Sequence, residues 1–310
     1  MKKSSLVLSI FAALAVLMTG CSRKSNVEKL TFTYVTSPLN MPTIIEKDQQ
    51  VFARTFDGIP VNYAEITSGA EQTQALASGD VQVLYAVGAT SVILSAANGA
   101  DIKVLNMYSR SPKAFCLYSR DKNINSPEDL RGKKIAGPAG TNLHELLTAY
   151  LATAGMTVSD VDYMSMAIPA AKAALDGGSI DVAMVAGANA YKCQQQGYHK
   201  VTDGENLICA IIAVAVTEDF YNQNPDIIEK LADAQKEISA YIKNNPEKTY
   251  ETVASSLGLT VDAVKEMAEY YDFSTVLTDK DIEGFQKTAD FMYESKMISN
   301  PFDVNTLFIR

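Results

Sequence analysis

The run Lys133-Lys-Ile-Ala-Gly-Pro-Ala-Gly-Thr-Asn-Leu-His-Glu-Leu-Leu147 has the spacing best suited to holding a small anion, because it reads as a strand, a glycine-rich turn and a helix start. Leu143, Leu146, Leu147, Tyr150, Leu151 and Ala154 form one apolar stripe at helical intervals. Gly155 stands where a left-handed C-terminal cap belongs, and Thr141 or Asn142 can cap the other end. A helix start leaves backbone N–H groups without intrahelical partners and carries about half a positive charge. Gly137, Gly140, Thr141 and Asn142 would then offer donors to an anion without a lysine or arginine. The same residues also serve as an ordinary tight turn between strand and helix.

The chain repeats this design. Ala75–Thr90 aligns without a gap on Ala174–Asn189, at a constant offset of 99 residues. Each copy reads as a helix end, a glycine turn, a buried strand and a Gly-Ala-Thr or Gly-Ala-Asn exit. At nearly the same offset, Thr36-Ser37-Pro38 matches Ala136-Gly137-Pro138. Two similar α/β halves follow, and strand exits in such sheets line a crevice that encloses a ligand from both sides. The candidate binding residues are therefore Ser37, Leu39, Asn40, Ser68, Gly69, Gly88 and Thr90 from the first half. From the second come Gly140, Thr141, Asn142, Gly187 and Asn189, with His144 at most a neighbour.

Residues 1–21 read as an export signal rather than fold: Lys2 and Lys3 precede an apolar run from Leu6 to Met18, too short to span a bilayer. The run ends in Met18-Thr19-Gly20-Cys21, which resembles a bacterial lipobox with Cys21 as the lipidated residue, and polar residues 22–28 read as a tether. The remainder is long enough for two lobes with real cores, at 47% apolar and 20% charged residues overall. A net charge of −9 without clustered Lys or Arg argues against nucleic acid, whose binding needs a basic surface. Backbone donors can still hold an anion locally.

Cys116, Cys193 and Cys209 have no metal-ligand spacing and read as buried thiols, although a Cys116–Cys209 disulfide between the two crossover segments is also open. His144 and His199 have no ligand group nearby in sequence, so neither a catalytic triad nor a metal or cofactor site is expected. In order, strands are expected at 30–35, 61–66, 81–87, 102–108, 114–118 and 208–216. Helices are expected at 44–56 and 91–97, with a capped short helix at Ser126–Leu130. Beyond Thr217 the pattern is helical, with starts at Asn224-Pro225 and Asn245-Pro246 and caps at Thr260 and Thr278. The expected division is lobe 1 at 29–112 plus 211–310 and lobe 2 at 113–210.

Ala75-Leu-Ala-Ser-Gly-Asp, Ala97-Asn-Gly-Ala-Asp-Ile-Lys-Val, Ser126-Pro-Glu-Asp-Leu-Arg-Gly-Lys-Lys-Ile-Ala, Gly140-Thr-Asn-Leu-His and Asn244-Asn-Pro-Glu-Lys resemble the solute-binding proteins of nitrate, sulfonate and taurine ABC importers. The resemblance runs from Leu30 to Phe308. It implies a type II periplasmic-binding fold, with two α/β lobes joined by two crossover strands and the anionic head of the ligand held at Gly140–His144. It also implies a non-enzymatic, monomeric, extracytoplasmic protein with a small-molecule ligand, a permease partner and no cofactor, and the lipobox-like run adds an anchor in the membrane. The alternative is a thiamine-pyrimidine precursor binder or a pyrimidine-synthase-like enzyme, since such enzymes share the fold. Relatives often carry a Trp-acid-Pro sequence where this chain has Ala186-Gly-Ala-Asn-Ala-Tyr191, which implies a smaller, uncharged wall with room for a bulkier organic tail. Tyr85, Tyr108, Phe115 or Tyr191 are the aromatic candidates to contact it.

Overall fold

The computed structural model describes residues 27–36, 38–66 and 68–309, so the export signal, the lipobox Cys21 and Ser37 lie outside the described residues. The first half supplies β1 (Leu30–Thr33), α1 (Met41–Gln49), α2 (Val51–Thr55), β2 (Val61–Ala64), α3 (Gly69–Ser78), β3 (Leu84–Gly88), α4 (Ala89–Ala97) and β4 (Lys103–Arg110). The second supplies β5 (Phe115–Ser119), β6 (Lys134–Gly137), α5 (Asn142–Ala152), β7 (Asp162–Ser165), α6 (Ile168–Asp176), β8 (Val182–Ala186), α7 (Gly187–Gln195) and β9 (His199–Asp203). The chain then returns as β10 (Ile211–Val216). It closes with α8 (Glu218–Gln223), α9 (Pro225–Asn244), α10 (Pro246–Leu257), α11 (Val261–Ala268) and α12 (Asp279–Glu294).

The repeat in the sequence is a repeat in topology. One sheet runs β7-β6-β8-β5-β9; in the other, β1 pairs with β2, meets β3 through a parallel Phe32–Val83 bridge, and β3-β10-β4 follow. Both halves thus have the order second, first, third, crossover, fourth. In each, the crossover strand is antiparallel to its neighbours and comes directly from the other half. The crossovers lie side by side, with Ser111 N–H donating to Ala210 O at 3.3 Å. Strands β8 and β10 are buried along their whole length, which is why they read as unbroken apolar runs, Val-Ala-Met-Val-Ala and Ile-Ile-Ala-Val-Ala-Val. Edge strands β7 and β9, Asp-Tyr-Met-Ser and His-Lys-Val-Thr-Asp, have no such run to announce them.

Under the first half sits an aromatic core: Phe32 stacks on Phe52 at 4.3 Å, and Tyr85 meets Tyr108 edge-on at 5.2 Å. The helix expected over 44–56 breaks at Gln50, whose φ is 52°. The buried Glu46 carboxyl accepts the Phe52 N–H at 3.0 Å and the Tyr63 hydroxyl at 2.8 Å, so a side chain of α1 satisfies a first-turn amide of α2. Cys116, Cys193 and Cys209 are free thiols, so the bridge between Cys116 and Cys209 does not form. Burial pushes Cys116 and Cys193 up to about 12, which leaves both unreactive. Among the described residues no group of three or more His, Cys, Asp or Glu side chains is placed to hold a metal.

Candidate ligand-binding site

Where the two halves meet, a cavity of about 70 Å³ is lined from the first half by Val35, Pro38, Asn40, Gly69, Gln72, Ala86, Gly88 and Ser91. From the second half it is lined by Phe115, Pro138, Thr141, Asn142, Leu143 and Ile168, with Ile212 from the returning crossover strand. The helix starts that point here are the ones the strand exits lead into. Thr141 is the N-cap of α5, but its hydroxyl turns back to donate to Pro138 O at 2.9 Å, so the amides of the first turn are not capped by it. Asn40 is the N-cap of α1 and likewise makes no side-chain cap; its amide donates to Val35 O at 2.7 Å. Gln72 lies in the first turn of α3 and donates to Ile66 O at 2.9 Å.

Three polar atoms here have no partner among the described residues: Asn40 Oδ1, Gln72 Oε1 and Asn142 Nδ2. Their residues are only 1%, 4% and 2% exposed. A buried polar group without a partner costs about 1–3 kcal/mol, so three around one cavity make a ligand-binding reading much stronger than a packing one. Asn142 is held by one end: its Oδ1 lies 2.9 Å from the Thr90 hydroxyl, and its Nδ2 is left without a partner beside the cavity that the residue lines.

The halves touch through positions where no larger residue fits. A Cβ on Gly69 would lie 1.9 Å from Ser91 Oγ, which donates to Gly140 O at 2.8 Å across the interface. A Cβ on Gly88 would lie 2.8 Å from Asn142 Oδ1. One on Gly187 would lie 2.7–2.8 Å from the Pro38–Leu39 backbone.

A larger depression of about 260 Å³ lies beyond that last contact, lined by Tyr118, Gly187, Tyr191, Tyr270, Tyr271 and several charged residues. Four of its charged residues pair among themselves, Lys113 with Glu205 at 2.8 Å and Lys200 with Asp203 at 2.7 Å, Glu266 accepts from Gln194, and no orphaned buried atom belongs to the described residues that line it. The smaller cavity, with its orphaned atoms, is therefore the better candidate.

A family model described as NMT1/THI5 like matches residues 41–249, two thirds of the chain. This protein belongs to the NMT1/THI5-like family. A putative aliphatic sulfonates-binding protein of Escherichia coli K12 is 23% identical over 304 residues, covering 96% of this chain and 93% of the relative. The taurine-binding periplasmic protein of the same organism is 30% identical over 223 residues, covering 69% of this chain and 67% of the relative. The solved alkanesulfonate-binding protein of Xanthomonas axonopodis pv. citri, bound to MOPS, superposes with a TM-score of 0.82 at 20% identity, over 91% of this chain and 98% of that one. The type II periplasmic-binding fold of two α/β lobes and two crossovers is thus shared with that structure.

In this NMT1/THI5-like chain the candidate residues sort into three groups. Asn40, Gly69, Gly88, Thr141 and Asn142 line the cavity. Leu39 and Thr90 stand one layer behind it: Leu39 N–H donates to the Tyr271 hydroxyl at 3.0 Å, and Thr90 holds Asn142. Ser68, Gly140, His144, Gly187 and Asn189 do other work. Ser68 caps α3 by accepting from Glu71 N–H. Gly140 gives its N–H to His144 Nδ1 at 3.2 Å and so has none for an anion, a correction forced by the stacking of His144 on Tyr163. Asn189 faces the outer surface between α6 and α7. Gly187 lets the lobes approach, so the small wall after β8 accommodates Pro38 and Leu39 rather than a bulky tail. Of the aromatic candidates Phe115 lines the cavity, whereas Tyr85 and Tyr108 are core and Tyr191 lines the outer depression. Gln72 was not singled out by sequence; its one signal is a polar side chain a single turn past the Ser68-Gly69 exit.

Proposed function

We propose that this protein is an extracytoplasmic solute-binding component of an ABC importer that captures a small organic anion, sulfonate-like in chemistry, between its lobes and delivers it to a membrane permease. The observation that carries the reading is Asn142: it opens α5, its Nδ2 is buried without a protein partner, and the first-turn amides of that helix add a positive dipole end. The names of the sulfonate-binding and taurine-binding relatives support the ligand class. Binding is favoured over turnover because no titratable side chain is among the described residues lining the cavity. The division into lobe 1 (29–112 plus 211–310) and lobe 2 (113–210) is part of the proposal, with bending at Ser111–Ala114 and Ala210–Ala213, where the crossovers touch. So are a monomeric state and anchoring through Cys21, which the lipobox-like run supports.

The test is Asn142→Asp. A carboxylate at a helix start suits the helix dipole and keeps the Thr90 contact, which offsets part of its desolvation beside the buried Glu145, so the variant should fold but melt below the parent. It should bind ethanesulfonate and taurine more weakly by at least about tenfold in calorimetry, because the new charge faces the anion. Unchanged affinity for both would place the anion elsewhere.

A further inference from the structure

Asn40 and Gln72 both face the cavity with acceptors, and neither can turn over. Asn40 Nδ2 donates to Val35 O at 2.7 Å and Gln72 Nε2 to Ile66 O at 2.9 Å. A carbonyl oxygen can only accept, and of the two ends of an amide side chain only the nitrogen donates, so flipping either amide would set oxygen against oxygen. Asn40 Oδ1 and Gln72 Oε1 are therefore the atoms left over, both buried and without a partner among the described residues. They lie on the first lobe, whereas the unpartnered donor, Asn142 Nδ2, comes from the second.

Resting on the anion reading above, we infer that the ligand is bifunctional: its acidic or accepting end meets Asn142, and its other end carries a neutral hydrogen-bond donor, a hydroxyl or amide N–H, for Asn40 and Gln72. An acceptor-only tail would leave both oxygens buried and unsatisfied. An ammonium would satisfy them but would be desolvated without a counter-charge, because no carboxylate is among the described residues lining the cavity. The two buried carboxyls nearby are engaged elsewhere, Glu46 with Phe52 N–H and Tyr63 and Glu145 with Thr90 and Thr288. A volume of about 70 Å³, against the 10–15 Å³ or so that one water needs, limits the occupant to a few heavy atoms.

Calorimetry on matched probes tests this. Ethanesulfonate, 2-hydroxyethanesulfonate, carbamoylmethanesulfonate and taurine differ only at the far end. The hydroxyl and amide forms should bind about tenfold tighter than ethanesulfonate, and tighter than taurine. Gln72→Met should erase much of the advantage over ethanesulfonate, and Gln72→Glu should shift preference toward taurine. Equal binding of ethanesulfonate and the hydroxyl and amide forms, or tightest binding of taurine by the parent, would overturn the inference. The same comparison with uncharged methyl sulfones in place of the sulfonates separates the two readings. Sulfones that bind with the hydroxyl preference while all sulfonates fail would overturn the anion reading and keep the donor rule; failure of both series would overturn both.

Discussion

Thr90 of the first lobe and Glu145 of the second share a hydrogen bond in the interior between the lobes, and the same Thr90 hydroxyl lies 2.9 Å from Asn142 Oδ1. A hydroxyl has one hydrogen and cannot donate to both. If it serves Asn142, the Glu145 carboxyl must itself be the donor to Thr90 and so carry a proton. Burial pushes Glu145 up to about 7, with the hydroxyls of Thr90 and Thr288 pulling the other way. With that proton in place Thr90 would serve Asn142 Oδ1 and leave Nδ2 free for a ligand.

An acid whose folded pKa lies above its unfolded value near 4.5 holds an extra proton only in the folded state. Its contribution is most favourable below about 4.5 and is lost as pH rises through about 7. Glu145→Gln, neutral at every pH, should be more stable than the parent at pH 8, by an amount on the order of 3 kcal/mol at most, and should converge with it near pH 5. Urea unfolding at several pH values measures this. Glu46, also raised to about 7 by burial, is present in both proteins and cancels in the comparison. Parallel pH dependences would mean that Glu145 is ionised in the fold.

His144 belongs to the scaffold of the turn. Its ring lies 5.1 Å from that of Tyr163 and parallel to it, and Nδ1 accepts from Gly140 N–H at 3.2 Å. Burial lowers its pKa, so the neutral ring is favoured in the fold; stability from this group is complete above about 6.5 and declines as pH falls. His144→Ala should lower stability by about 1–2 kcal/mol, through the lost stack and an unpartnered Gly140 amide. The affinity of the best-binding sulfonate should keep the same pH dependence in variant and parent between about pH 5.5 and 8. A dependence that vanished with the ring would make His144 a ligand contact.

What could be read from the sequence was local. The α5 start, with Thr141 and Asn142 after two glycines, follows from cap chemistry within a few residues, and the matching topology of the halves follows from the repeat at offset 99. Gln72 and Glu145 were hidden for the opposite reason. Gln72 is an unremarkable helix residue until the other lobe closes over it. Glu145 reads as a first-turn acid, usually solvated, and is buried only because α4 and α12 bring Thr90 and Thr288 against it from 55 and 143 residues away. Asn189 was misplaced because the exits of β3 and β8 match in sequence while their following helices face different neighbours.

Ala86 holds φ at 84° within β3, at the point where pairing with β10 skips a residue between Ala213 and Val214. The Cβ penalty of that region is about 1–2 kcal/mol for a non-glycine residue. Ala86→Gly should therefore raise stability slightly, by about 1 kcal/mol or less after the entropic cost of glycine, measured by thermal unfolding. A large loss would show that the Ala86 methyl, which faces the cavity wall, is needed for packing.

Gly187 decides how closely the lobes approach. Its φ is 53°, and a Cβ there would lie 2.7 Å from both Cα and C of Pro38 and 2.8 Å from Leu39 N, backbone atoms that cannot swing aside like a side-chain end. Leu39 N–H is also tied to the Tyr271 hydroxyl, so the segment is held from behind. Gly187→Ala should leave each lobe folded, with a strain of about 1–2 kcal/mol at the new side chain, and should push the lobes apart. Scattering should give a larger radius of gyration than the parent, and the best-binding sulfonate should bind at least about fivefold more weakly, since Asn40 and Gln72 no longer reach it together with Asn142. Pro38→Ala would not relieve the clash, because the opposing atoms are backbone. If Gly187→Ala keeps both the parental radius and the parental affinity, ligand capture does not depend on this contact between the lobes.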